Sequence, residues 1–334
     1  MSAPWIARQA QALLAQRGHA WLLQGPSGLG QYELGLALVS AWLCEQPGAL
    51  GACGHCPSCH AIEVRTHADL AVLMPETQMI ELGWPLSEKA QADIDDKKRK
   101  PSKDIRVEAM RDLVEFAQRT DARGRGKAVL VYPAERMNAV TANALLKTLE
   151  EPPGDVRFVL ATEAAHQLLP TIRSRCQTHT LDWPPAPEAM AWLAQQGVDE
   201  PMAQALLRSA GGRPSDVLRQ TASGLSPDWW AALPKAMQRG DVSHLSALSP
   251  AQAIDALQKL CHDLVLRACG ASPRFFLPGA LPDIACPIPV LTAWFKRLMQ
   301  EARTAEHPFN AGLMLEALAN DAQQVLTARE TQRG

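Results

Sequence analysis

The chain has 334 residues, 47% of them hydrophobic, with 33 Lys and Arg against 35 Asp and Glu. That length exceeds one comfortable core and implies two or three domains, while no apolar run approaches the ~20 residues needed to cross a bilayer. Residues 1–11 lack a basic patch followed by an apolar stretch, so secretion is not expected and a cytoplasmic location is. The net charge of −2 supplies no attractive field for nucleic acid, so any DNA contact requires a local basic surface.

In chain order, residues 19–24 read as a short buried strand. They run into Gly25-Pro26-Ser27-Gly28-Leu29-Gly30 and then an apolar-periodic stretch to about Cys44, which predicts strand, glycine loop and helix. A cysteine cluster interrupts the pattern. Residues 69–74 are the next expected strand and 107–119 an amphipathic helix. Between them, residues 93–104 carry mixed charge, including Lys97-Lys98-Arg99-Lys100, and read as a solvated, mobile loop rather than a DNA patch. Residues 127–131 form a third strand, 139–151 a helix halted by Pro152-Pro153, and 156–162 a fourth strand. This alternation predicts an α/β domain on a parallel sheet.

Trp183-Pro184-Pro185-Ala186-Pro187 cannot continue a helix or a central strand and marks a boundary. Helices over 188–196, 201–210 and 214–221 make a small helical module. Ser223-Gly224-Leu225-Ser226-Pro227 suggests a second boundary, and 252–269, 290–303 and 309–329 read as long amphipathic helices of a bundle. The expected domains are therefore 1–182, 183–224 and 225–334. Trp229, Trp230 and Trp294 fit core packing better than interface anchors.

A phosphate-binding P-loop needs Gly-x-x-x-x-Gly-Lys-Ser/Thr between a strand and a helix. Gly25 and Gly30 keep that spacing, but Gln31 stands in the lysine position and Tyr32 in the hydroxyl position. Glutamine cannot supply the charge-assisted bond, about 1.5–3 kcal/mol, that lysine gives a phosphate. The second half of such a site is an acidic pair after a later strand; here Tyr132-Pro133 follows, and Glu135, three positions on, is expected to point elsewhere. No ATP is expected on this chain.

Cys44-x8-Cys53-x2-Cys56-x2-Cys59 offers four soft ligands for tetrahedral Zn2+ at about 2.3 Å, a closed structural shell. Its overlapping disulfide-exchange and haem-attachment patterns are set aside, because no signal peptide or thioredoxin-like unit accompanies them. His55 and His60 are the substitute ligands should a cysteine drop out.

Asn143-Ala144-Leu145-Leu146-Lys147-Thr148-Leu149-Glu150-Glu151-Pro152-Pro153 followed by Ser174-Arg175-Cys176 resembles the clamp-loader AAA+ subunits. With residues 25–30 and the cysteine cluster, it is similar to delta-prime subunits of bacterial DNA polymerase III holoenzymes. The resemblance covers the first 185 residues by motif and the rest by layout. It implies an AAA+ P-loop-type sheet domain with a zinc-binding insert, a small helical lid and a C-terminal helical collar. It also implies a heteropentameric ring with clamp-loader ATPase subunits and a delta-type subunit, acting on a sliding clamp and primed DNA. In that setting the subunit does not hydrolyse ATP, and the DNA-directed polymerase activity, a nucleotidyl transfer, belongs to the complex. Arg175 is implied as an arginine finger offered in trans, with Arg173 as its competitor, and all four cysteines as the zinc ligands. Thr162 and Arg213 fall where ATPase relatives carry sensors, and are read as relics or packing residues. The rival readings are an unorthodox ATP-binding AAA+ ATPase and a zinc-dependent DNA-binding protein.

Overall fold

The computed structural model describes residues 3–283, 286–305, 307 and 310–328. Two compact units divide the chain, 1–184 and 185–334. None of the described helices is long and apolar enough to cross a membrane.

Unit 1 begins with α1 (Pro4–Leu14), β1 (Ala20–Gln24), α2 (Gln31–Leu43) and α3 (Pro57–Glu63). It continues with β2 (Leu70–Leu73), α4 (Glu76–Glu81), α5 (Glu88–Asp95), α6 (Val107–Gln118) and β3 (Lys127–Val131). α7 (Ala139–Glu150), β4 (Val156–Thr162), α8 (Pro170–Arg173) and β5 (Gln177–Thr180) complete it. The strands form one sheet in the order β2-β3-β4-β1-β5, and every neighbouring pair is parallel. Helices on both faces explain why β3 is a continuous buried run, Ala128 to Val131 all fully buried. Gly35 lets α2 lie close on the sheet, since a Cβ there would stand 2.7 Å from Leu130 Cδ1.

The four expected strands are present. β5 has no counterpart among the sequence expectations, because Gln-Thr-His-Thr is polar and mostly exposed at the sheet edge and carries no apolar alternation. α7 is capped by Asn138, whose side chain accepts from Thr141 N at 2.9 Å, and it ends before Pro152-Pro153. The charged segment is less of a loose loop than expected. α5 runs into it, and Arg99 grips Glu76 through two bonds of 2.5 and 2.8 Å.

Unit 2 is helical: α9 (Ala186–Gln195), α10 (Glu200–Ser209), α11 (Pro214–Ala222), α12 (Pro227–Gln238), α13 (Pro250–Ala268), α14 (Ile288–Ala302) and α15 (Ala311–Thr327). Phe309 and Arg329, the ends expected for the last helix, lie outside the described residues. α12 went unanticipated, since Pro234 sits inside it and an interior proline ordinarily breaks a helix. A single apolar cluster runs from Ala189 to Leu326, so the boundary expected at 224 falls within one packed core. The tryptophans are packing residues: Trp294 is fully buried, and Trp230 donates to Gln220 Oε1 at 3.2 Å. Trp229 stacks on His244 at 4.8 Å.

Candidate functional site

The glycine loop joins β1 to α2 where a phosphate would meet a helix N-terminus. Gly28 and Gly30 take positive φ values of 79° and 99°, the left-handed backbone that favours glycine. The geometry survives, but the loop is already satisfied from within. Gln31, 2% exposed, donates through Nε2 to the carbonyls of Gly25 and Pro26 at 2.6 and 2.7 Å. Trp5 Nε1 donates to Leu29 O at 3.2 Å, and Ile6 packs so closely that a Cβ on Gly30 would meet its Cδ1 at 2.6 Å. The amide at the lysine position thus holds the loop's own backbone.

Tyr32 turns into the protein. Its hydroxyl accepts from Trp84 Nε1 at 2.8 Å, its ring lies 5.5 Å from that of Tyr132, and burial raises its phenol above the ordinary value. Such a side chain is no replacement for a compact hydroxyl ligand of magnesium. Glu135 corrects the sequence expectation. A 3₁₀ turn over Ala134–Arg136 brings the chain back to the end of β4, where Glu135 accepts from Thr162 Oγ1 at 2.6 Å and from Glu163 N at 3.1 Å. The carboxylate lies near the sheet's C-terminal ends, with Thr162 as its partner. Tyr132 donates to Glu163 Oε1 at 3.2 Å in the same place.

Arg175 follows α8 and is partly exposed, its side chain 31% accessible. Its Nε donates to Glu150 Oε1 at 2.5 Å, its Nη2 donates to the same oxygen, and its Nη1 donates to Thr171 O at 2.9 Å. Glu150 is the last residue of α7, so the two sequence motifs that stand twenty-five residues apart meet in space. Arg173 is exposed at the end of α8. Burial pushes the Cys176 thiol up to about 12, which makes it a packing group rather than a nucleophile. In unit 2, Arg213 is spent locally on Ala210 O and Asp216, both at 2.8 Å.

At the far end of α2 the four cysteines converge. None is in a disulfide, and their sulfurs all lie within 4.8 Å of one another. Cys44–Cys56, Cys53–Cys59 and Cys44–Cys59 separations are 3.8, 3.9 and 3.7 Å. Four thiolates bound tetrahedrally at about 2.3 Å from a metal would stand about 3.8 Å apart. Backbone N–H groups of Cys53 and Cys59 donate to the sulfurs of Cys44 and Cys56 at 3.3 and 3.4 Å. Burial opposes ionisation of Cys56, yet hydrogen bonds from the Cys59 and Glu45 backbone and from neighbouring thiols bring it down to about 6. Burial and its thiol neighbours push Cys59 up to about 12. The donor set fits a metal ion. His55 and His60 take no part: the first ring contacts Cys53 O at 2.9 Å, and the second pairs with Glu63 at 3.8 Å.

Sequence reasoning missed Trp5, Ile6 and Trp84, the residues that fill and close the loop. Nothing in their local pattern distinguishes them from ordinary core side chains.

The five-stranded parallel sheet with the glycine loop at the start of α2 makes a P-loop-type α/β module, with the cysteine insert at the other end of that helix. Residues 7–184 match the family model described as DNA polymerase III, delta subunit, and the chain belongs to that family. Among curated relatives, DNA polymerase III subunit delta' of Pseudomonas aeruginosa is 39% identical over 213 residues, 63% of this chain and 58% of that protein. The Escherichia coli subunit of the same name is 33% identical over 300 residues, covering 84% of this chain and 82% of its own length. A solved gamma subunit-related protein of Thermotoga maritima aligns with 96% of this chain and 99% of its own at 16% identity, with a TM-score of 0.49.

Proposed function

We propose that the chain is a cytoplasmic, non-hydrolysing delta-prime-type subunit of a DNA polymerase III clamp loader. In this reading it sits in a five-membered ring with ATPase subunits and a delta-type subunit, and helps place a sliding clamp on primed DNA. The observation that carries it is Gln31, whose amide ties up the loop carbonyls where a P-loop lysine would serve a phosphate. Tyr32 on Trp84 and Glu135 on Thr162 support the same conclusion. In this reading the chain comprises a sheet domain, a lid and a collar with limits near 182 and 224, the lid and collar packing on one helical core.

Arg175 supplies the chemistry, to a neighbour's bound nucleotide. Its guanidinium lies on Glu150, an anion that a transferring phosphoryl group can replace, and a finger in that position stabilises charge that develops in the transition state. The four cysteines hold Zn2+, which supplies a closed structural crosslink when bound.

The test reconstitutes the chain with its ATPase partners, clamp and primed DNA and compares ATP turnover for wild type and Arg175→Ala. Turnover should fall tenfold or more at the completed site with assembly intact, against the about 10³–10⁵ that fingers contribute elsewhere. Unchanged turnover removes Arg175 from the mechanism, and tight magnesium-dependent ATP binding by the free chain overturns the expectation that it carries no ATP and revives the rival ATPase reading.

A further inference from the structure

The sheet of unit 1 ends at β2, which has no further strand beside it among the described residues. In a parallel ladder each strand turns alternate residues toward a given neighbour. Ala128 N donates to Asp69 O at 2.9 Å and Tyr132 N to Leu73 O at 3.0 Å, so Asp69, Ala71 and Leu73 face β3. Leu70 and Val72 therefore turn their peptide groups outward. Leu70 N is satisfied by His67 O at 3.2 Å, which leaves the Leu70 carbonyl and both groups of Val72 as strand-pairing positions. Unpaired edges of this kind are ordinarily covered or blunted.

A cavity of about 580 Å³ lies along this edge, lined by Ala71 to Met74 of the strand region and by residues of α5 and α6. Leu86 and Ala90 form an apolar wall on one side, and Ala109, Leu113 and Phe116 of α6 one on the other. Its volume falls within the about 300–1,000 Å³ of ligand sites, and β2 is four residues long, about 13 Å of extended chain.

Its charges decide which strand. Five acidic and three basic side chains line it. Arg99 and Arg106 are both engaged with Glu76, and Arg99 also with Asp93. That leaves Asp104, which precedes α6, and Glu108 and Asp112, four apart on one face of α6, against Lys89 alone. These carboxylates are exposed and none is in an ion pair among the described residues.

We propose that this edge is a docking site for an extended segment of a partner protein, in which apolar residues alternate with lysine or arginine. The segment adds a sixth strand beside β2 by main-chain pairing to Val72 and Leu70 O. Alternate side chains of a strand point to opposite sides, so its apolar residues turn to the Leu86 and Ala90 wall and its cations to the α6 side, where they meet Glu108 and Asp112, the strand-addition mode of recognition. The site is distinct from the glycine loop, Arg175 and the cysteine cluster.

The test uses the intact zinc-loaded chain and a fluorescent acetyl-(Lys-Val)4-amide peptide. Controls are the (Glu-Val)4 peptide and the Lys-Val peptide N-methylated at alternate residues on its pairing edge. The Lys-Val peptide should bind at least tenfold more tightly than either control and slow hydrogen exchange of the Val72 amide. Val72→Pro removes an N–H that the β2–β3 ladder does not use and should weaken binding tenfold or more. Should that variant misfold, Glu108→Lys with Asp112→Lys carries the same expectation. Equal binding of the N-methylated peptide, unchanged exchange at Val72, or no binding of the Lys-Val peptide overturns the proposal.

Discussion

The two ends of α2 carry the two most conspicuous motifs of the chain, and they behave oppositely. At the N-terminal end, Gln31, Trp5 and Ile6 supply partners from within, so the glycine loop is occupied by the protein itself. At the C-terminal end, four sulfurs converge with spacings that suit a common metal and no covalent bond among them. One motif keeps its backbone geometry while its polar groups are met by the protein's own side chains. The other presents four sulfur donors that a single metal ion would fit.

The largest expected contrast comes from the metal end. Structural zinc sites have apparent binding free energies on the order of 10 kcal/mol at neutral pH. Cys56→Ala should therefore abolish stoichiometric zinc, measured by metal analysis, and give the largest fall in Tm of any variant described here. A zinc-free wild-type chain with unchanged Tm would erase the contrast. At the loop end, Gly30→Ala should destabilise the fold by about 1–3 kcal/mol for its left-handed backbone, and by more if Ile6 does not yield. Denaturant melts measure it.

Smaller again is Gln31→Ala, which leaves two loop carbonyls without their donor and should cost about 1–3 kcal/mol. Gln31→Lys combined with Tyr32→Ser sharpens the point from the other side. Calorimetric titration should find no Mg-ATP affinity tighter than about 1 mM, because Tyr132-Pro133 still stands where the acidic pair belongs and Glu135 is held by Thr162. Recovery of tight binding by those two changes would show that Gln31 and Tyr32 alone keep the loop empty of nucleotide.

Glu76 is a second site of the self-satisfied kind, and its effect is the smallest and depends on pH. Burial opposes its charge, but Arg99, the Ser102 N–H and Arg106 together hold its carboxyl below the ordinary value of 4.5. A depressed folded-state value means that the unfolded chain binds more protons in acid. The contribution is whole above pH 4.5 and is lost as pH falls through the lower folded-state value. The stability gap between wild type and Glu76→Gln, followed by denaturant titration, should be constant near neutrality and close below that pH. A gap that persisted in strong acid would mean that shape, not charge, holds the insert.

Much of this was legible locally. Apolar runs announced four strands, Pro152-Pro153 announced the end of α7, and cysteine spacing announced the cluster of four thiols, because each depends on residues near in sequence. β5 escaped because an exposed edge strand needs no apolar pattern, and α12 carries an interior proline, Pro234, which is no signal for a helix. Glu135 was misjudged because a three-residue turn, rather than strand direction, sets where its carboxylate lies.

The sequence by itself determined the alternation of strands and helices, the surviving frame of the glycine loop and the chemistry of the four thiols. It also determined the replacement of lysine by Gln31, since a neutral amide lacks the charge a phosphate requires. Only the tertiary structure decided that this amide turns back on the Gly25 and Pro26 carbonyls, and that Glu150 holds Arg175. Only it left β2 as the terminal strand beside acidic α6. Those facts join residues far apart in the chain, and sheet order and helix packing, which no local propensity encodes, bring them within bonding distance.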